Sequence, residues 1–219
     1  MPRKQRPPEE IEAVKSRILE EALALITEFG YEGFTMRKLG IRMGMAAKTT
    51  YNYFANKDEI YLHVLTQGFQ LVYEDLKAVY DRFDDPLDRL RGMSHAVVDF
   101  AVTRSNYYDI MMTWYVPKYN DYVGTPLEAI AYRELQTALK SAELFVRVME
   151  EIADVHGNLR KEDARLDFIR LLTGLHGIVA LYNNTILDYL HDDPASILDA
   201  LTDNLISDYL PSEKRGKVI

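Results

Sequence analysis

The chain has 219 residues, of which 47 % are hydrophobic and 27 % charged, a balance ordinary for a soluble protein with a sizeable core. It contains no cysteine, which excludes disulfides and thiolate metal ligands. No apolar run approaches the roughly 18 residues that a membrane span needs. The first ten residues also lack the apolar core of a secretory signal. We therefore expect a cytoplasmic protein with no membrane partner.

The net charge of −8 is distributed unevenly along the chain. Residues 1–57 carry ten Lys/Arg and seven Asp/Glu, which leaves +3, whereas the remainder carries 16 and 27, which leaves −11. A basic amino-terminal part on an acidic body would orient the protein on a polyanion such as DNA. Chance fluctuation of composition explains the same asymmetry about equally well.

Helical periodicity with proline or Asx punctuation runs along the whole chain, and strand patterns are nearly absent. The patterns predict an all-α fold of about nine helices. In chain order they are a helix from Pro8 to Gly30, one from Thr35 to Gly44, one from Ala47 to Tyr53, a long one from Asn56 to Phe83, and others at 85–104, 106–115, 125–155, 161–190 and 193–211. Residues 116–124 are predicted to be loop.

The segment from Thr35 to Lys57 predicts two short helices around a tight turn at Gly44, followed by the start of a third. The second helix is rich in hydroxyl, amide and cationic side chains, which suit the major groove of DNA better than a protein core. Lys48 falls in the first turn of that helix, where the helix dipole disfavours a cation by roughly 0.3–1 kcal/mol. A phosphate or a guanine near Lys48 would make the cation favourable there. The alternative is that Lys48 is a surface lysine with no function.

The run from Ile18 to Ile60 resembles the DNA-binding domain of TetR-type transcriptional regulators. The resemblance rests on Ile18-Leu19-Glu20-Glu21-Ala22, Phe29-Gly30-Tyr31, Thr35-Met36-Arg37, Leu39-Gly40, Gly44, Thr49, Tyr51-Asn52-Tyr53-Phe54 and Lys57-Asp58-Glu59-Ile60. It implies a helix-turn-helix DNA-binding domain at residues 1–57, a helical ligand-binding and dimerisation domain at 58–211, and a frayed tail at 212–219. It further implies a regulator, in most cases a repressor, that binds a palindromic double-stranded operator as a homodimer and is released by a small-molecule effector.

Individual DNA contacts follow from the same resemblance. Residues at positions that usually hold phosphates are Thr35, Tyr51, Tyr53 and Lys57, and those at positions that reach base edges or nearby phosphates are Arg37, Lys48, Thr49 and Asn52. The chain departs from the family pattern where Ala46 replaces a serine, which removes a helix cap worth about 0.5–2 kcal/mol. Ala47 and Lys48 replace the family's Lys and Gly, so the cation moves by one position and no operator sequence follows. A basic arm at Arg3, Lys4 and Arg6 could enter a minor groove or be a solvated tail.

Aromatic residues and methionines concentrate between Tyr107 and Tyr122. Tyrosines with a polar tip in an apolar wall suit a pocket for a largely apolar or aromatic ligand, and methionine adapts to irregular shapes. The predicted ligand-binding residues are Tyr107, Met111, Trp114, Tyr115, His176 and Asn183. The alternative for each of them is ordinary core packing. For His176 this means a core histidine whose hydrogen bonds are made within the protein.

The helix predicted from Lys161 to Leu190 is apolar almost all round between Phe168 and Tyr182, so it should be buried on two sides. A stripe of mostly small residues along it would allow close approach by another helix. We predict a dimer interface made of Gly174, Gly177, Leu181 and Asn184 with Leu198, Leu201 and Leu205 of the last helix.

Motifs of enzymes are missing from the sequence: it has no glycine-rich phosphate loop, no Gly-x-Ser-x-Gly and no His-Glu-x-x-His. We therefore expect no enzymatic activity, no cofactor and no metal. An all-helical small-molecule carrier or sensor that never touches DNA is the alternative function, and the sequence does not distinguish a repressor from an activator.

Overall fold

A computed structural model describes residues 7–114, 116–157 and 159–210. Throughout these residues every regular element is helical, which confirms the all-α class. The α-helices are α1 Pro8–Gly33, α2 Met36–Arg42, α3 Ala47–Thr50, α4 Lys57–Arg82, α5 Pro86–Thr103, α6 Ser105–Tyr108, α7 Tyr119–Tyr122, α8 Glu128–His156, α9 Ala164–Asn183 and α10 Leu198–Ser207. The basic arm, Tyr115 and the predicted tail at 212–219 lie outside the described residues. None of the helices described combines the length and apolar character needed to cross a membrane.

Side-chain caps explain where several helices begin. Thr35 caps α2 by accepting from the backbone N–H of Lys38 at 3.2 Å. Asn56 accepts from Glu59 N–H at 2.9 Å, and the Glu59 carboxylate accepts in return from Ala55 N–H, which forms a reciprocal cap where the fourth helix is predicted to begin. Gly30 interrupts α1 with a φ of 71°, so the continuous part of the first helix ends at the predicted residue.

The structure differs from the predicted elements in several places. The helix predicted to end at Tyr53 ends at Thr50, and the last predicted helix begins as a 3₁₀ turn at Pro194–Ile197 and is α-helical only at Leu198–Ser207. Residues predicted to form one short helix at 106–115 form α6 followed by a π-helical turn at Asp109–Thr113. The predicted loop at 116–124 contains the single-turn helix α7. The helix predicted to reach residue 190 ends at Asn183, because Thr185 takes a φ of 57° and the chain continues as a 3₁₀ turn at Leu187–Tyr189.

The chain divides into two compact units. The amino-terminal unit consists of the described residues up to Phe69 together with Asn106–Thr137, and the carboxy-terminal unit consists of Gln70–Ser105 together with the described residues from Ala138 onward. These units are defined by how compactly the chain packs. The predicted boundary at residue 57 instead separates a DNA-binding from a ligand-binding domain, and it stays a prediction.

Aliphatic and aromatic side chains fill the core of the amino-terminal unit. Ile18, Ile26, Phe34 and Leu39 are fully buried and join α1 to α2. A second cluster, made of Leu62, Tyr122, Leu127 and Ala131, joins α4, α7 and α8, with Tyr119 and Ile130 packed against it. The helix-turn-helix is therefore part of a larger packed body.

The carboxy-terminal unit combines apolar packing with buried polar contacts. A Cβ on Gly174 of α9 would lie 2.7 Å from Leu205 of α10, so these two helices pack closely within one chain. The Tyr209 hydroxyl donates to the backbone oxygen of Asp167 at 3.0 Å. Arg89 pairs with Glu151 at 2.8 Å and links the start of α5 to α8.

Candidate nucleic-acid interface

The turn between α2 and α3 depends on two glycines. A Cβ on Gly40 would meet the backbone oxygen of Met45 at 2.9 Å and the backbone of Ala47 at 3.0 Å, so only glycine permits this approach of the helices. Gly44 takes a φ of 64°, in the left-handed region that favours glycine. Met45 N–H closes the turn by donating to Gly40 O at 2.9 Å. The pair of helices is thus held at a fixed angle.

The predicted DNA-contacting residues lie on this pair of helices and their flanking residues, in the turn that follows α3, and at the start of α4. Thr35, Arg37, Lys48, Tyr51 and Asn52 are exposed, whereas Thr49, Tyr53 and Lys57 are half-buried. Ala46 precedes α3 without a side-chain cap, as the sequence departure predicts. The helix ends at Thr50, whose hydroxyl donates to Ala47 O, and the Asn52 and Tyr53 N–H groups that follow bond three residues back.

Three of the five cations between Thr35 and Lys57 are held by groups of the protein. The Lys38 ammonium donates to Gly33 O at 2.8 Å, and Arg42 pairs with Glu28 at 2.8 Å. In contrast, the side chains of Arg37 and Lys48 have neither an ion pair nor a hydrogen bond with any residue of the described chain. These two exposed charges are therefore available to a polyanion.

Lys57, the third of these held cations, is positioned by Tyr31. Its ammonium lies 4.2 Å from the centre of the Tyr31 ring and 3.8 Å from Glu32. The Tyr31 hydroxyl donates to Asp58 at 2.6 Å, and burial and this bond raise the pKa of Tyr31 above its ordinary value. The Tyr31 ring meets Tyr61 edge-on at 4.9 Å. Tyr31 thus helps to position Lys57. Both residues belong to the family motif, but their spacing in the sequence does not show that they are in contact.

The predicted ligand-binding residues are divided between the two compact units. Tyr107, Met111 and Trp114 belong to the amino-terminal unit, where Tyr107 and Met111 pack tightly against Gly68. His176 and Asn183 belong to the carboxy-terminal unit, where the Asn183 amide donates to Ala101 O at 3.0 Å. The binding role of this set stays a prediction.

The predicted dimer stripe divides into two parts along α9. Gly174 faces Leu205 of the same chain, whereas a Cβ on Gly177 would meet nothing within 4 Å. Leu181 is 43 % exposed and Asn184 is exposed, while Leu198, Leu201 and Leu205 are half-buried. Leu166 and Ile169, at 58 % and 50 % exposure, extend the exposed face toward the start of α9. Their spacing of eleven and eight residues from Gly177, three helical turns and just over two, is the signal that identifies them.

Glu134 of α8 is a buried carboxyl group that no sequence motif marks. It is 8 % exposed, and burial raises its pKa to about 7 against the opposing charge of Lys118. Its spacing of seven and three residues from buried Leu127 and Ala131 is the one sequence signal that places it on the inner face of the helix.

Comparisons with known proteins agree with this geometry. Residues 18–64 match the family model of bacterial regulatory proteins of the tetR family, and residues 90–205 match that of the tetracyclin repressor-like C-terminal domain. No curated protein matches the chain.

Solved structures show the same fold at low identity. A tetR-family regulatory protein from Rhodococcus RHA1 is 14 % identical with a TM-score of 0.68, covering 89 % of this chain and 96 % of its own. The regulator PfmR from Thermus thermophilus is 18 % identical with a TM-score of 0.65, covering 87 % and 97 %. The fatty acid degradation regulator FadR from Bacillus halodurans is 17 % identical with a TM-score of 0.64, covering 93 % and 97 %. Since the C-terminal match alone spans more than half of the chain and the DNA-binding match precedes it, the protein belongs to the TetR family of bacterial transcriptional regulators.

Proposed function

We propose that this regulator is a repressor that binds a palindromic operator as a homodimer and is released by a small, largely apolar or aromatic effector. The observation that carries the proposal is the exposed surface of α2 and α3. There, Arg37 and Lys48 have no protein partner within the described residues, and Asn52 is exposed one turn beyond Lys48. Cations and amides so placed suit phosphates and the guanine or adenine edges of a major groove.

Two kinds of DNA contact are expected from this surface. Tyr51 and Lys57 lie where phosphate contacts would fix the orientation of the protein without reading sequence. Lys48 and Asn52 lie where base edges would be read, each contact worth about 1–3 kcal/mol of discrimination. Thr35 already uses its hydroxyl as a helix cap, so its role on DNA would be shared with that cap.

The exposed apolar face of α9 supports the homodimer. Leu166, Ile169 and Leu181 are exposed on α9 before and after the open position at Gly177, and such apolar side chains lose contact with water when a second copy covers them. A dimer would set two recognition helices about 34–36 Å apart, the spacing of two half-sites on one face of DNA.

The aromatic residues of the amino-terminal unit support an apolar effector. Tyr107 and Trp114 are half-buried and Met111 is buried beside Gly68, so an apolar molecule could contact rings and a thioether there. Effector and DNA must then oppose each other in both directions, because coupling between two sites is reciprocal and typically about 1–3 kcal/mol.

A gel-shift assay on DNA flanking the coding region tests the proposal. The full chain should retard such DNA, and Lys48→Ala or Tyr51→Ala should weaken the shift. The matched controls Lys161→Ala and Tyr189→Ala, which change exposed residues of the carboxy-terminal unit, should leave it unchanged. A folded protein that shifts none of this DNA, or that binds equally well after Lys48→Ala and Tyr51→Ala, would favour a carrier or sensor without this DNA-binding surface.

A further inference from the structure

A buried carboxyl group without a partner lies on the inner face of α8. Glu134 follows Ala131 by three residues on the face that packs in the core of the amino-terminal unit. Its carboxyl oxygens form no hydrogen bond and no ion pair with the residues that the structure describes. Buried carboxylates are ordinarily paired, because removing a charge from water without a counter-charge is costly.

Two buried hydroxyl groups beside Glu134 also lack partners. The hydroxyls of Tyr61 in α4 and Tyr122 in α7 form no hydrogen bond. Tyr122 packs in one core cluster with Ala131, three residues before Glu134, and Tyr61 is the neighbour in sequence of Leu62 of that cluster. Burial raises the pKa values of both hydroxyls, and the charge of Glu134 adds to that effect. The Tyr122 hydroxyl is also near Tyr31, but without the geometry of a hydrogen bond. Three polar groups from three helices therefore border one apolar cluster, and the described chain leaves their hydrogen-bonding capacity unused.

The surroundings favour a cation at this place. Among the described residues, Lys118 is the cation whose charge acts on Glu134, and its ammonium donates to Met111 O at 3.5 Å. The rings of Tyr119 and Tyr132 lie 5.8 Å apart at the edge of the same cluster, and aromatic faces attract cations. An anion would be repelled by Glu134. A metal ion is disfavoured, because no group of three metal-binding side chains occurs in the described residues.

We propose that Glu134, together with the Tyr61 and Tyr122 hydroxyls, binds the primary ammonium group of an effector whose remaining surface is apolar. An ammonium has three N–H donors, and the carboxylate with the two hydroxyl oxygens offers three acceptors. The apolar part of the effector would lie against the Leu62, Leu127 and Ala131 side chains of the same cluster. The ligand would supply the counter-charge and the hydrogen bonds that these groups lack.

This assignment rests on the proposed function and names the chemical class of the effector. It also places the bound group close to the DNA-binding end of the molecule. Tyr122 acts electrostatically on Tyr31, which is bonded to Asp58 and lies beneath Lys57. An ammonium drawn to Tyr122 would change the surroundings of Tyr31 and hence the position of the lysine expected to hold a phosphate.

Four probes with the same hexyl chain test the assignment on the full-length protein: n-hexylamine, n-hexanol, n-hexanoate and hexyltrimethylammonium. Calorimetric titration should show that hexylamine binds most tightly, since the quaternary ion has no N–H donor and hexanoate is an anion. Glu134→Gln should weaken hexylamine binding by about ten- to hundredfold while leaving hexanol unchanged. Glu143→Gln, which changes an exposed carboxylate of the same helix, is the control and should have no effect.

Two further variants make the test independent of whether Glu134→Gln folds. Tyr61→Phe and Tyr122→Phe should each lower hexylamine affinity several-fold while retaining or raising the melting temperature of the free protein, because each removes an unsatisfied buried hydroxyl. The assignment is overturned if hexylamine binds no better than hexanol, or if its preference persists in Glu134→Gln. Operator binding by the same unliganded samples separates the two proposals. A protein that shifts DNA without preferring the amine refutes this inference alone, and one that prefers the amine without shifting DNA refutes the regulator.

Discussion

Replacing Glu134 by glutamine should change how the free energy of unfolding depends on pH. The pKa of this carboxyl rises from its ordinary 4.5 to about 7 in the folded protein. One pKa unit corresponds to about 1.36 kcal/mol, so the shift is worth roughly 3 kcal/mol. The folded state keeps its proton where the unfolded chain has lost it. Wild-type stability is therefore complete below pH 4.5 and declines as the pH rises through about 7.

The groups facing Glu134 set the sign of this effect. Burial is the dominant cause, the ammonium of Lys118 opposes it, and Tyr61 and Tyr122 stay uncharged because their own pKa values are raised. Urea unfolding followed by circular dichroism at pH 5 and pH 8 would measure the change. The stability of Glu134→Gln relative to wild type should increase by about 2–3 kcal/mol between these conditions. Parallel curves for wild type, Glu134→Gln and the control Glu143→Gln would refute a carboxyl group with a raised pKa.

The other predictions concern the helix-turn-helix and the dimer. Gly40→Ala should destabilise the fold by about 1–3 kcal/mol in denaturant unfolding and weaken DNA binding, because its Cβ would meet the Met45 backbone oxygen at 2.9 Å; unchanged stability would mean that the turn adapts easily. Lys48→Ala should alter which operator positions tolerate mismatch in a selection experiment, by about 1–3 kcal/mol per contacted base pair; an unchanged selection profile would place Lys48 in solvent or on a phosphate. Gly177→Leu should shift sedimentation toward monomer with the fold intact, since the position is open within one chain and only a second copy would be displaced; a variant that remains a tight dimer would place the interface elsewhere.

Two helix starts were accessible from sequence, because they depend on local chemistry, whereas the helices predicted to begin at 125, 161 and 193 begin three to five residues later. The Asn56–Glu59 pair and the Asp85-Pro86 start both act within three residues, and both appear as predicted. The single turn of α7 was missed because four residues carry no helical period. The end of α9 was placed too late because apolar residues such as Leu187 continue the pattern beyond Thr185, whose backbone conformation breaks it.

In the candidate site, too, local features could be predicted from the sequence and long-range contacts could not. The exposure of Lys48 in α3 and of Asn52 in the turn just after it follows from the polar side chains of this segment, so it was predictable. The contact of Tyr31 with Asp58 joins residues 27 positions apart, so no local sequence pattern predicts it. Glu134 looks like any other acidic residue of an amphipathic helix, since its isolation from counter-charges depends on what α4 and α7 bring beside it.

The amino-terminal unit extends past residue 57, so the DNA-binding domain of this regulator should not be exchangeable as residues 1–57 alone. A chain cut after Lys57 would remove both Asp58, which accepts from the Tyr31 hydroxyl, and Tyr61, which packs against the Tyr31 ring. The residues that place Lys57 thus lie beyond the predicted domain boundary at residue 57, although the DNA-binding family match at residues 18–64 includes them. Operator preference should therefore be transferable between relatives by exchanging surface residues of α2 and α3. Transplanting residues 1–57 as a block should instead give poorly folded chimeras unless the residues that surround Tyr31 travel with them.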